Sequence, residues 1–421
     1  MTAGRPPVWI AVAVLVLLTA ALAPAAGQAV VPAGGQGPPT SAAWFAAVRA
    51  HAPGAVDEAV VTISRWPAAV ALATVRKALH ETTDPAVLQR ALILHTDAAI
   101  AERAAFEAGG RIRPGRGALL LDARRIGTLP RSPHWDIGRE IAATLIGRPG
   151  GSAMVQRWYR TTGAVLQQWA DCGALRPHLD AALRLLPDDP VLLLYQGTLH
   201  QTYADQRVQR FAQPEPLNSL SDAELGGGAG LRRDAQGNLV TTSIGTAPTM
   251  ESYDRRSRTV VLFSSAAEEL GRAERDFRRA VGLDPSLVEA RIRLAHVLVA
   301  RGQPADAFAL AAAALASPLP PFLEYYAAMV LGWSAEAQQR PDDARRAFDR
   351  AAGVFPRAQS AQIAISRQAL EGAHAADGLA AILASSGPKA ARDAGDPWWS
   401  YFRVHEPDSK TLLAALRGQA P

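Results

Sequence analysis

Cysteine and lysine are nearly missing from this sequence. One cysteine, Cys172, stands in 421 residues. No disulfide can form within the chain, which excludes a small scaffold stapled by disulfides. Of the 44 basic residues, Lys77, Lys389 and Lys410 are the lysines, so arginine carries nearly all the positive charge. The arginines are scattered, mostly near Asp or Glu. A net charge of +5 and a pI near 9.6 give weak attraction to anionic surfaces, without the clustered basic stripe of a nucleic-acid binder. Aromatics are scarce, at 6%, while 48% of residues are hydrophobic and alanine is abundant. A core of small side chains fills its gaps only when helices approach closely, which favours an all-α protein over a β-sandwich or barrel. Charged residues make up 20%, too few for a disordered chain at this hydrophobic content. The length suits two to three domains or one extended array.

Motifs that carry chemistry are also missing. No H-E-x-x-H, G-x-S-x-G, C-x-x-C or dinucleotide fingerprint occurs. His95-Thr96-Asp97 has metal-like residue types, but positions two apart on a helix point to different faces. His405-Glu406-Pro407 cannot begin a metal helix, because Pro407 breaks it. His178 and His200 fall on facing helices and read as core histidines bonded to carboxylates. The pairs Asp188-Asp189 and Asp342-Asp343 lie at helix starts, where carboxylates satisfy free N–H groups. No catalytic, cofactor or metal residue is assigned.

Residues 1–29 read as an export signal: Arg5, an apolar run from Val8 to Ala23, then the small-x-small sites Ala23-Pro24-Ala25 and Gly27-Gln28-Ala29. The run is about sixteen residues, short of the roughly 20 a spanning helix needs, so cleavage is expected over an uncleaved anchor. A flexible leader follows at 30–41. An N-terminal helical block occupies 42–150, with helices near 41–51, 55–64, 67–81, 85–107 and 137–146. Gly109 to Pro133 connects helices.

Self-similarity governs the remainder. Ala273, Phe277, Ala280 and Pro285 repeat as Ala344, Phe348, Ala351 and Pro356. Ala and Phe four apart share a helix face with the next Ala three further on. Small residues admit the neighbouring helix, Phe fills the gap, and Pro ends the helix. Leu331-Gly332 marks the preceding first helix. In the unit between, Leu294-Ala295, Gly302, Ala307 and Ala314 hold the corresponding positions, with Ala311 where the aromatic would be. Val155–Asp188 is a weaker copy. Val191–Tyr203 supplies another first helix, with Gly197 at its small position, and its partner helix is delayed to 266–283. Gln359–Ala384 is a degraded last copy.

This pattern resembles the tetratricopeptide repeat, a helix–turn–helix unit of about 34 residues that stacks into a right-handed solenoid. The resemblance implies a solenoid over 151–385, interrupted by a long irregular insertion at about 205–265. The insertion's glycines form no phosphate loop, and Asp234–Asn238 with Leu239–Thr242 could turn one hairpin. Residues 386–421 form a linker, an aromatic segment, Asp396-Pro397-Trp398-Trp399-Ser400-Tyr401, and a closing helix at 408–417. The paired tryptophans are expected to seal the last repeat. The arrangement is similar to exported bacterial tetratricopeptide proteins.

The implied function is that of an exported scaffold, periplasmic or secreted, binding a protein or peptide on the concave face lined by first helices. By register, the exposed inner-face candidates are Arg291, Arg293, Gln338 and Gln362. A basic inner face would favour an acidic partner. The alternatives are a hydrolase whose site lies under residues 205–265, or an envelope assembly factor held by an uncleaved N-terminal helix.

Overall fold

A computed structural model describes residues 39–108, 132–169, 171–212, 229–233, 239–243, 266–369, 397–401, 403–405 and 408–418. The expectations for the export signal, most of the leader, the 109–131 connection, 370–396 and much of the insertion lie outside these residues.

The described residues are helical almost throughout. Helices α1 (Ser41–Ala50), α2 (Glu58–Ser64), α3 (Ala68–Glu81), α4 (Pro85–Ala108) and α5 (Pro133–Leu145) come first. Next come α6 (Gly151–Gln168), α7 (Cys172–Leu185), α8 (Pro190–Ala212), α9 (Ala266–Leu283), α10 (Val288–Ala300) and α11 (Pro304–Ala314). They are followed by α12 (Pro321–Ala337), α13 (Pro341–Val354), α14 (Gln359–Ala369), a 3-10 turn at Pro397–Ser400 and α15 (Ser409–Arg417). One antiparallel hairpin, β1 (Ala229–Arg233) with β2 (Leu239–Ser243), pairs Leu231 with Thr241. It falls where the turn at 234–238 was expected.

Helix starts follow the chain's prolines and short polar residues. Proline opens α4, α5, α8, α11, α12 and α13, where its missing N–H removes nothing. Asp189 accepts from Val191 N at 3.0 Å and Leu192 N at 3.1 Å to cap α8. Asp343 behaves differently: it sits in the first turn of α13 and pairs with Arg340 and Arg346. Helix α8 runs through Asp205 to Ala212, so the irregular insertion starts later than expected. Residues 205–212 contain no Gly or Pro, and the first breaker is Pro214.

From α5 to α14 each helix packs on the next, α10 also touches α12, and α15 packs on α6. The stripes Ala273–Phe277–Ala280 and Ala344–Phe348–Ala351 are fully buried, as are Ala295, Ala307 and Ala311. Leu294 and Ala314 are buried and Leu331 is half-buried. Phe277 of α9 seats against Gly197 of α8, and Phe348 of α13 seats against Gly332 of α12. A Cβ at either glycine would fall inside the phenylalanine ring's contact distance. The α8–α9 and α12–α13 pairs therefore use the same plug, although the two halves of the α8–α9 pair are separated by the insertion; the α10–α11 pair between them has Ala311 in place of the ring. The inner turns also correspond: Gly302 has φ +75° and Gln339 has φ +58°, each followed one residue later by the residue before a proline-started helix. At the boundary between α5 and α6, Trp158 packs on Gly138. All these elements lie in one unit, Thr40–Pro421. Among the described residues, no helix is long and apolar enough to cross a membrane.

Candidate functional site

Helices α6, α8, α10 and α12 are the first members of their pairs. Their common face carries residues 397–417 of the same chain. Trp398 lies edge-on to Trp333 of α12 at 4.4 Å between centroids and 5.4 Å from His296 of α10. Tyr401 is buried against His296 and Tyr326, and its hydroxyl donates to Asp205 of α8 at 2.8 Å. His405 stacks on Phe322 at 3.5 Å. Further on, Ser409 Oγ donates to Gln168 of α6 at 2.5 Å. Arg417 donates to Asp97 of α4 through Nε at 3.0 Å and Nη2 at 2.5 Å.

The tail's main chain is held by one buried ion pair. Arg293 and Glu289, i and i+4 on α10, both have fully buried side chains and meet at 2.7 Å. Arg293 Nη1 donates to the Tyr401 carbonyl and Nη2 to the Arg403 carbonyl, each at 2.6 Å. The Glu289 carboxylate accepts the His405 N–H at 3.0 Å. One guanidinium thus serves two carbonyls of this short segment, at the turn of Tyr401 and at the bend of Arg403, and charge-assisted bonds are the strong ones. Around it, Gln201 Nε2 approaches His296 Nδ1 at 2.8 Å and donates to Tyr326 Oη at 3.3 Å. Burial, with the Arg293 charge, lowers His296 to about 3, so it packs as a neutral ring.

This arrangement corrects the exposure expected of Arg293. Arg293 is not a solvent-facing inner residue, because Glu289 and two tail carbonyls use its donors. Its charge, which favoured an acidic partner, is neutralised within α10. Arg291 is half-buried and turns back to the Pro285 carbonyl. Gln338 Nε2 donates to the carbonyls of Pro304 and Ser334, each at 2.9 Å, and ties two turns together. Gln362 is exposed on α14, with Nε2 at 3.5 Å from the Pro356 carbonyl. Trp398 packs on α10 and on α12, which belongs to the last complete pair described, in an aromatic slot between His296, Tyr326 and Trp333; the Trp399 side chain lies outside the described residues. Glu289, Asp205, Gln201 and His296 went unnoticed in the sequence. Glu289, Arg293 and His296 lie at i, i+4 and i+7, a polar stripe on a helix whose other residues, Arg291 apart, are apolar. That stripe was the available signal.

Asp205 makes tail docking pH-dependent. Burial raises its carboxyl to about 6, opposed by the Tyr401 hydrogen bond. A raised folded-state pKa means that this group's stabilisation is complete below its ordinary 3.8 and is lost as pH rises through about 6. Tyr401, Tyr326, Glu289 and Arg293 are the ionisable groups facing this network. Hydrogen exchange of the 398–405 amides, corrected for intrinsic rates, is expected to rise between pH 5 and 7, and Asp205→Asn is expected to abolish the step. An equal pH response in both chains would contradict this assignment.

The remaining histidines support the fold. His95 accepts the Trp44 indole N–H at 3.0 Å and meets His134 at 2.9 Å, while Asp97 faces His51, the Gly54 amide and Arg417. The two residues of His95-Thr96-Asp97 thus diverge as expected. His200 meets a carboxylate, Glu269, at 2.5 Å, whereas His178 meets the Thr162 hydroxyl at 2.7 Å. Burial raises the Cys172 thiol to about 12, which suppresses the nucleophilic thiolate. Among the described residues, no group of three or more His, Cys, Asp and Glu could hold a metal ion. No protein-family model matches this sequence, and no curated protein matches it.

Proposed function

We propose that this chain is a scaffold of stacked tetratricopeptide-type helical hairpins that binds a protein or peptide segment along the face of α6, α8, α10 and α12. Residues 397–417 are its resident occupant. The observation that carries the reading is the grip on carbonyls 401 and 403 and amide 405 by Arg293 and Glu289. Those contacts read main chain, which any extended segment offers, while the aromatic slot for Trp398 and Tyr401 supplies selectivity. The repeated phenylalanine plugs and matching inner turns support the hairpin-array assignment. The partner expected on these grounds is an extended segment with two aromatic residues three apart. The apolar run and small-x-small sites read in residues 1–29 support a periplasmic or secreted location for this scaffold.

A labelled peptide of residues 396–417 tests the reading. A tethered occupant competes at millimolar effective concentration. The Trp398→Ala, Tyr401→Ala chain is therefore expected to bind the peptide at least about tenfold more tightly than the unaltered chain. Fluorescence anisotropy reads the difference. Equal or undetectable binding by both chains overturns the proposal.

A further inference from the structure

A cleft of about 370 Å³ lies between α7, α8 and α9. We propose that this cleft binds a small zwitterion, a free amino acid or a close analogue. Arg176 and Asp180 line it from α7, Gln196 and His200 from α8, and Arg275 and Asp276 from α9. The volume lies at the small end of ligand pockets, roughly 300–1,000 Å³.

The charges in the cleft do not satisfy one another. Arg176 and Asp180 are i and i+4 on one helix, the spacing at which such residues usually pair, yet no hydrogen bond or ion pair joins them. Among the described residues Arg275 has no ion-pair partner either, and it and Asp180 are open to solvent. The nearest opposite group to Asp276 is His200 Nε2 at 3.9 Å, beyond a hydrogen bond. By contrast, His200 is held in place: its Nδ1 meets Glu269 at 2.5 Å, and Arg272 donates to the same carboxylate at 3.3 Å.

A simple anion would occupy the guanidiniums and leave two carboxylates facing it. A simple cation would leave the guanidiniums. A molecule with a carboxylate and an ammonium satisfies both sets: the carboxylate on Arg176 and Arg275, the ammonium on Asp276. Burial raises the Asp276 carboxyl to about 6, and a bound ammonium would restore its charge.

The test uses the purified full-length chain. A mixture of the common L-amino acids at millimolar concentration is screened by saturation-transfer NMR, and the amino acid with the strongest signal is titrated calorimetrically. Its N-acetyl and amide derivatives, which each lack one charge, are titrated beside it. Both derivatives are expected to bind at least about tenfold more weakly, as are Arg275→Gln and Asp276→Asn chains with the free amino acid, because each loses a charge-assisted hydrogen bond. Both variants alter residues at the cleft surface and are expected to keep their melting temperature. No saturation transfer from any amino acid overturns the proposal. So does an N-acetyl derivative, or inorganic phosphate, that binds as tightly as the free amino acid, since that marks a site for anions alone.

Discussion

Replacing Phe277 or Phe348 by alanine is expected to lower the unfolding free energy by about 3–5 kcal/mol each, the range for a fully buried aromatic truncated to a methyl group. Both rings are completely buried. Each stands against a glycine of the preceding first helix, so no side chain on that helix can swing in to refill the space. The cavity term therefore adds to the lost burial. The reverse insult, Gly332→Ala, forces a methyl group into the Phe348 ring and is expected to cost about 1–3 kcal/mol. Combining Gly332→Ala with Phe348→Leu is expected to cost less than the sum of the two single changes, because the residues share one contact. Urea unfolding followed by circular dichroism measures all five variants, the Phe348→Leu single change included. A loss below about 1 kcal/mol for both phenylalanines would show that the plugs do not hold the hairpins together.

Arg293→Ala is expected to be comparably severe. It removes one partner of a fully buried ion pair and leaves Glu289 charged without its cation, a change that typically costs about 3–5 kcal/mol. It also frees the carbonyls of Tyr401 and Arg403, so the tail is expected to detach. Arg293→Met with Glu289→Leu removes both charges and is expected to restore most of the stability while leaving the tail detached. That contrast separates the pair's role in the core from its role in holding main chain. Thermal unfolding reads the first, and protection of the 398–405 amides reads the second. Tail amides that stay protected in the double variant would remove Arg293 from the docking contact. Arg291→Glu, two positions away and only half-buried, is expected to change stability by no more than about 0.5 kcal/mol.

The helices and their pairing were readable because they rest on short-range rules. Pro85, Pro190, Pro304, Pro321 and Pro341 start helices wherever they occur, since proline's ring presets the backbone angle and lacks only an N–H that would be unsatisfied there. Ala273, Phe277 and Ala280 share a face at any location because helical spacing is fixed. Even the split α8–α9 pair could be foreseen, since Gly197 and Phe277 each carry half of a local motif. The end of α8 was misplaced because residues 205–212 carry no strong preference against helix.

The inner face was a different matter. Register placed Arg293 on it correctly, but register describes one helix pair at a time and contains nothing about a segment more than a hundred positions later in the chain. Whether a side chain on that face meets water or protein depends on where residues 397–417 come to rest. That position is set by contacts summed over α4, α6, α8, α10 and α12: an aromatic slot, a guanidinium fork, a capped helix and the Arg417–Asp97 pair. Local sequence thus specified the helices, their turns and their plugs, because those energies arise between residues a few positions apart. Tertiary packing alone converted an apparently open, basic face into a neutral one filled by the protein's own end, because the energies that do so act between groups brought together only by the finished fold.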